Sequence, residues 1–251
     1  MMHEGDPNAF TRVIYGCDAD EVAEVVILTP LDALIEALKH RSDEVKEYGG
    51  FIEGYNLDFD GTHVSVLNSR VGSPAASDCA YYLRFTPCSS IIYTGLIGAL
   101  QSHVRIGDLI IPTAALRGEG SSRYFIEDSY PALADFGLLR AMSSTLDEVY
   151  VDSDIGIHYG PIFTTDSFAA ETREFLELWQ SRNLLGIEME TSVIYVIASL
   201  YGIRAVAVHV VSDNPLTEKS FFDPIPDEDR GRRALCADRL IEALVRLVSK
   251  I

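Results

Sequence analysis

The sequence predicts a single α/β domain, with a central mixed β-sheet flanked by helices. Three observations predict it. Short apolar, β-branched runs alternate with longer stretches of helical periodicity. At 251 residues, 47% of them apolar, the chain is long enough to bury one large core. No internal repeat, low-complexity tract or linker divides it, so residues 1–251 are read as one domain, with residues 1–10 expected to be flexible.

The elements follow in order. A first strand at Val25–Leu28 leads to a helix over Leu31–His40. A second strand at Val64–Leu67 precedes a helix over Pro74–Phe85, which opens on a proline whose fixed φ and missing donor suit a first turn. Strands at Ser90–Tyr93 and Leu109–Ile111 come next. The single glycines 95, 98, 107 and 118 mark turns or close backbone approaches after them. Helices over Leu138–Val149, Ala169–Ser181 and Glu190–Tyr201 lead to a strand at Ala205–Val211 and a last helix over Asp227–Leu247. The apolar stretch Val193–Val211 has the length of a membrane span. It holds Gly202, Arg204 and His209, and it divides into helix, turn and strand.

Composition narrows the function. A formal net charge of −18 argues against nucleic acid and anionic membrane as partners, because phosphate backbones would be repelled. The four cysteines (17, 79, 88 and 236) lack paired metal-ligand spacing, so free thiols are expected, with no metal and no cofactor. The segment Met1–Asp6 has neither the basic start nor the apolar region of a signal peptide, which leads to a cytoplasmic expectation.

Three segments carry chemistry. In Ile187-Glu188-Met189-Glu190, the second acid is placed near a helix start, where the dipole stabilises negative charge. An ionised Glu accepts two hydrogen bonds at once, as the vicinal hydroxyls of a ribose require. Two acids in a first turn are also ordinary helix-start chemistry, and alone the segment favours that plainer reading. In Val210-Val211-Ser212-Asp213-Asn214-Pro215, a buried strand delivers polar groups at its C-terminal end, where open α/β sheets bind ligands. Asp213 there suits a general acid or a partner for a heterocycle nitrogen; an Asx turn before Pro215 explains it as well. His209 is read as a packed core residue. In Gly160–Phe168, another strand end presents Phe168, either for stacking on a flat ring or as a core aromatic.

Together these segments resemble the nucleoside phosphorylase-I family of purine nucleoside, methylthioadenosine and uridine phosphorylases and related nucleosidases. The resemblance extends to Asp20–Glu24, to Gly95–Leu100 as a Gly-rich turn, to Val104–Pro112 and to Arg117–Ser122, and it is strongest from Gly160 to Asn214. It implies one α/β domain around a distorted sheet, assembled as homodimers or hexamers with shared active sites. It implies that Glu190 binds the ribose 2′- and 3′-hydroxyls with Met189 against the sugar. Phe168 would lie beside the base, and Asp213, positioned by Ser212, would engage N7 of a purine. Glu188 and Gly95 join them as substrate-binding positions. The Ser-Asp pair resembles the purine-cleaving branch, and no counterpart of the uridine branch's Gln/Arg motif stands out.

The departures concentrate on the phosphate site. The family's Gly-Asp-Pro-x-Arg segment corresponds to Pro30–Leu34, its Arg before the Gly-rich turn to Tyr93, and its Thr or Ser inside that turn to Leu96. Around Tyr48–Gly54, where a neighbouring subunit contributes a further Arg, the chain offers only nearby Lys46; a neighbour-donated His aligns with Ile14. A phosphate dianion needs compensating donors or cations. Leu34, Tyr93 and Leu96 supply few. The expected function is therefore cleavage or formation of a purine-type N-glycosidic bond without inorganic phosphate. The hydrolases' Glu after the first strand is also missing, leaving Glu119 and Asp32 as weak substitutes. Two alternatives stand beside this expectation: an orthodox phosphorylase using Arg70, Arg117 or Arg123, and a non-catalytic nucleoside-binding subunit.

Overall fold

The structure is a computed structural model and describes residues 5–217 and 220–251. Helix α1 (Pro7–Ile14) is capped by Asp6, whose side chain accepts from the Asn8 amide. Of the residues expected to be flexible, Pro7–Phe10 lie in this helix; Met1–Glu4 lie outside the described residues. Strand β1 (Val25–Thr29), wholly buried, feeds α2 (Asp32–Arg41). A hairpin of β2 (Glu44–Gly49) and β3 (Glu53–Phe59) follows, then β4 (Thr62–Asn68) and α3 (Ser73–Tyr82). The middle of the chain forms β5 (Ser90–Ala99), β6 (Leu109–Arg117), the short β7 (Ala132–Leu133) and α4 (Phe136–Val149). The last third forms β8 (Ile157–Thr164), α5 (Arg173–Ser181), β9 (Gly186–Glu188), α6 (Thr191–Leu200), β10 (Arg204–Asp213) and α7 (Asp227–Val248). Among the described residues no helix is long and apolar enough to cross a membrane.

Hydrogen-bonded neighbours run β10-β6-β8-β9-β5-β1-β4-β3-β2, with β7 on β6, and β10 also pairs with β5. Strands β5, β10, β6, β8 and β9 therefore close on themselves, while β1, β4, β3 and β2 extend outward as an open sheet. Strand β5 makes this possible. One of its edges follows β10 in parallel from Ser90 to Gly98. The other pairs in parallel with β1 over Ser90–Tyr93, then with antiparallel β9 at Gly98 and Ala99. A Cβ on Gly186 would lie 2.8 Å from the Gly98 carbonyl oxygen, so the crossing of β9 over β5 requires glycine. The stretch Gly95–Ala99 is thus strand where a Gly-rich turn was expected. Gly107 sits in a turn at φ +81. Gly118 lies against the Phe163 ring.

Helices α3 and α6 cover one face of the sheet, and α2, α4 and α7 cover the other. Burial on both faces explains why the central strands read as continuous apolar runs. Just before β6, Asp108 is 1% exposed. It accepts from the Arg105 and Gly156 amides and pairs with His158 and Arg232, tying α7 to the ring. Those donors outweigh its burial and hold its carboxyl down at about 2. All four cysteines are buried free thiols.

Candidate active site

A cavity of about 540 Å³ opens where parallel strands end. Pro30 and Leu31 approach it from the end of β1, Val71 from the end of β4, and Ser212 and Asp213 from the end of β10. Tyr93, Leu96 and Gly98 reach it from within β5. The chain segments that the sequence singled out for chemistry converge here because β8, β9 and β10 all finish on this side of the ring.

Glu190 precedes the first turn of α6, with φ −138°. Its Oε1 accepts from the Gly72 amide at 2.5 Å and its Oε2 from the Tyr93 hydroxyl at 2.9 Å; the Met189 amide lies 3.3 Å from Oε2. Gly72 reaches it from the start of α3 at φ +100, a conformation that excludes a side chain, and sequence reasoning missed it. Burial raises the Glu190 pKa, and these three donors oppose the rise. A carboxylate has about four lone-pair sites, so a free site on Oε1 remains for a ligand hydroxyl. Tyr93 Oη donates to Glu190 and can itself accept. Removing it with Tyr93→Phe is expected to raise the Glu190 pKa further and move the acid limb of any pH–rate profile to higher pH. An unmoved limb would remove Tyr93 from this role.

Glu188 ends β9 and lines the same wall, but its oxygens turn inward. Oε1 accepts from the Thr164 hydroxyl at 2.5 Å; Oε2 takes the Glu190 amide, the Thr191 amide and the Thr191 hydroxyl. Those bonds occupy orphan donors at the α6 N-terminus. Burial first, and then the neighbouring Glu190 charge, push Glu188 up to about 7. Its carboxylate holds the helix start in place and is not offered to the cavity. His209, fully buried, shares Thr191 Oγ1 through Nε2 at 2.9 Å and packs edge-on to Tyr93. Burial lowers its pKa to about 3, which keeps it neutral.

Asp213 is 7% exposed and accepts from its neighbour Ser212 Oγ at 2.6 Å. Burial raises its pKa, opposed by the Ser212 hydroxyl and the Phe221 amide. Phe168 is 52% exposed on the cavity wall, with the Phe222 ring 6.1 Å away, so it is a surface of the cavity and not a core aromatic. Met189 is half-buried on the same wall.

The positions compared with the phosphate site divide. Tyr93 and Leu96 line the cavity. Leu34 does not: it packs in the core beneath α2, one helical turn beyond Leu31, which takes the wall position. Gly95 is buried within β5, where a Cβ would stand 3.2 Å from the Tyr93 hydroxyl, so it leaves room for that group and does not itself line the wall. None of the three arginines considered as substitutes lines the cavity. Arg70 pairs with Glu53 at 3.1 Å and Arg123 with Asp128 at 3.0 Å. Arg117 donates to the Glu127 and Tyr130 carbonyls and to Ser122. Lys46 pairs with Glu21. Glu119 is 1% exposed and held by Ser122 and Ser192, and Asp32 accepts from Asn68 at 2.9 Å; neither lines the cavity.

Two charged lining residues escaped sequence reasoning, Glu171 and Arg173. They stand two apart, just after Phe168. Burial, with the Asp213 charge second, pushes Glu171 up to about 7. Arg173 is mostly exposed and pairs with Glu177 at 2.8 Å.

Comparison with known proteins agrees with this geometry. The chain is similar to a DeoD-type purine nucleoside phosphorylase of Jannaschia sp. (strain CCS1), 31% identical over 86% of this chain and 91% of that one. It is 32% identical to a guanosine phosphorylase of Halorubrum lacusprofundi over 63% of this chain, a match spanning 64% of that relative's length. In fold it is similar to a purine nucleoside phosphorylase of Toxoplasma gondii in complex with immucillin-H, with TM-score 0.80, 19% identity and full coverage of both chains (100%). A uridine phosphorylase of Vibrio fischeri ES114 gives TM-score 0.82 at 22% identity, covering 96% of this chain and 97% of that one. A family model described as the phosphorylase superfamily matches residues 15–249. The chain accordingly belongs to the phosphorylase superfamily, among enzymes that act on the N-glycosidic bonds of nucleosides.

Proposed function

We propose that this protein cleaves, or forms, the N-glycosidic bond of a purine-type nucleoside with an acceptor other than inorganic phosphate. One observation carries the proposal. Among the described residues lining the cavity there are four acidic side chains, Glu190, Glu171, Asp213 and the inward-turned Glu188, and a single guanidinium, Arg173. A phosphate dianion entering this cavity meets like charge and the apolar walls of Leu31, Val71 and Leu96, with few donors to replace its water.

The same groups suit glycosidic cleavage. As the bond breaks, positive charge grows on the sugar and negative charge on the base. Glu190, anchored by Gly72 and Tyr93, sets a carboxylate against the sugar without reorganising. Asp213, whose burial favours the protonated form, delivers a proton to the departing purine at N7. Water, or a neutral hydroxyl acceptor, bonds its oxygen to the anomeric carbon as the C–N bond breaks and gives its proton to solvent, from which Asp213 is reprotonated. Purine specificity is supported by the Ser212–Asp213 pair and by the purine- and guanosine-directed relatives. A homodimer or hexamer in the cytoplasm is the assembly proposed with it.

The names of the relatives, and Arg173 on the cavity wall, favour phosphorolysis as a second reading. Chromatography of the free base released from adenosine, inosine, guanosine, methylthioadenosine and uridine, with and without phosphate, separates the two. We expect release from purine nucleosides at a rate that phosphate does not change. Release only with phosphate would establish the second reading.

A further inference from the structure

We propose that Tyr93 is a catalytic residue that relays the acceptor's proton: its hydroxyl oxygen takes the proton of the attacking water or alcohol while its own proton passes to Glu190. This rests on the reading above, in which the acceptor is a neutral hydroxyl, and it adds the group that activates that acceptor.

The cavity has to supply such a group, because water is a poor nucleophile until its proton has somewhere to go. Leu31, Val71 and Leu96 bring only apolar surface to the wall. Asp213 has to stay protonated until the base leaves, and Ser212 donates to it. Glu188 is turned inward to Thr164 and the start of α6. Glu171 lies close enough to Asp213 to feel its charge, at the end of the cavity assigned to the base. Ser220 donates to Asp223, an exposed acid whose pKa that bond lowers.

Tyr93 differs in being linked to a base on the sugar side. It lines the cavity, and its hydroxyl donates to Glu190 Oε2 at 2.9 Å, while Oε1 accepts from Gly72 and keeps its free site for the sugar. A phenol hydroxyl that donates one bond can accept another. An acceptor held against Tyr93 therefore stands one hydroxyl away from the carboxylate that holds the sugar, which brings nucleophile and anomeric carbon together. The ring is fixed for this task. Tyr93 is 1% exposed, meets the His209 imidazole edge-on at 5.4 Å, and places its hydroxyl in the space that Gly95 leaves open.

Charge dictates how the proton moves. Burial first, and then the Glu190 charge, raise the Tyr93 pKa well above its ordinary value, so no phenolate forms and the two transfers run together. The acceptor's oxygen bonds to the anomeric carbon as the C–N bond breaks. Positive charge then moves from the sugar to that oxygen, whose proton goes to Tyr93 Oη as the Tyr93 proton goes to Glu190 Oε2. Burial raises the proton affinity of Glu190, which suits it to receive. Glu190 releases this proton to solvent as the sugar leaves, and Asp213, which gave its own to the base, is reprotonated from solvent. With water as acceptor the sum is nucleoside plus water giving free sugar and free base.

The test compares the wild-type protein with Tyr93→Phe on inosine in phosphate-free buffer, each at its own pH optimum so that a moved acid limb does not enter. The kcat for base release is expected to fall about a hundredfold, with KM within a few-fold of wild type. A loss of packing would also slow the reaction, so the acceptor is varied. Hydroxylamine, whose neutral nitrogen bonds before any proton has to leave, is expected to restore most of the base release of Tyr93→Phe. Methanol, which like water must lose a proton, is expected to restore none. A second readout needs no variant and holds even where the substitution disturbs folding. On 7-methylguanosine, whose base leaves without a proton from Asp213, wild-type kcat is expected to fall along a curve as the deuterium fraction of the solvent rises, because two protons move in one step. Wild-type kcat in Tyr93→Phe, an equal response of the variant to hydroxylamine and methanol, or a linear dependence on deuterium each overturns the inference. In those cases phosphate-independent base release still supports the function proposed above. Base release that requires phosphate, or no release at all, overturns that reading and this inference with it.

Discussion

Glu190→Gln is expected to lower kcat by about a thousandfold, or about 4 kcal/mol, while leaving KM for the nucleoside within a few-fold of wild type. The reasoning starts from charge. The oxygen of a neutral amide can still accept from Tyr93 and Met189, which share one oxygen, or from Gly72, and the amide can donate to or accept from a ribose hydroxyl. Ground-state binding therefore survives in part. What the amide cannot do is oppose the positive charge that grows on the sugar as the base leaves. That interaction exists mainly in the transition state, so its loss appears in kcat. The substitution also removes one of two repelling buried carboxylates, which relieves Glu188, but its NH2 group faces donors that formerly met an oxygen. These two effects on stability oppose each other, and a melting curve will show whether a loss of rate is a loss of fold. Full activity in a folded Glu190→Gln protein would sink the assignment of this carboxylate to the sugar.

How much of this could be read from the sequence depended on where the information lay. Strands buried on both faces, such as Val25–Thr29 and Arg204–Asp213, announce themselves as apolar runs, and the helices that cover them announce themselves by period. The β2 strand, Glu-Val-Lys-Glu-Tyr-Gly, is almost wholly exposed at the edge of the sheet, and charge masks it. The three-residue β9 is too short to show a period, and β5 runs through glycines that punctuate most sequences. In the site, Glu190 and Asp213 were singled out by the order and spacing of the Gly160–Asn214 segments together; taken alone, a helix-start acid and an Asx turn explained them as well. The direction of Glu188 was not, since it turns on Thr164, 24 residues earlier in the chain and adjacent only through the β8–β9 pairing. Leu34 and Leu31 are separated by about one helical turn, which matching to a family pattern does not resolve but side-chain direction does. Glu171 was not singled out in the sequence, and only the cavity shows that nothing among the described residues meets its carboxylate.

Asp213→Asn is expected to lower kcat by about 10²–10⁴-fold on ordinary purine nucleosides, the usual contribution of a positioned acid. The amide keeps an acceptor for Ser212 and for the Phe221 amide, so the loop beyond β10 should hold its shape. It has no acidic proton to give. The loss should therefore depend on the leaving group. On 7-methylguanosine, whose base is already cationic, or on 4-nitrophenyl riboside, whose phenolate leaves without protonation, the variant should approach wild-type rates. An equal loss on all three substrates would make Asp213 a positioning residue and not an acid. The pH profile supplies a second readout with a definite sign. Burial raises the pKa of Asp213, so wild-type activity should fall as pH rises through that value and the proton is lost. On the other side, activity should fall as pH drops and the Glu188–Glu190 pair takes up a proton; burial and mutual repulsion place that limb above the ordinary carboxylate range. Asp213→Asn should erase the alkaline limb and leave the acid limb in place. Glu190 would then be the group that must be charged and Asp213 the group that must not be, two carboxyls given opposite tasks by the donors around them.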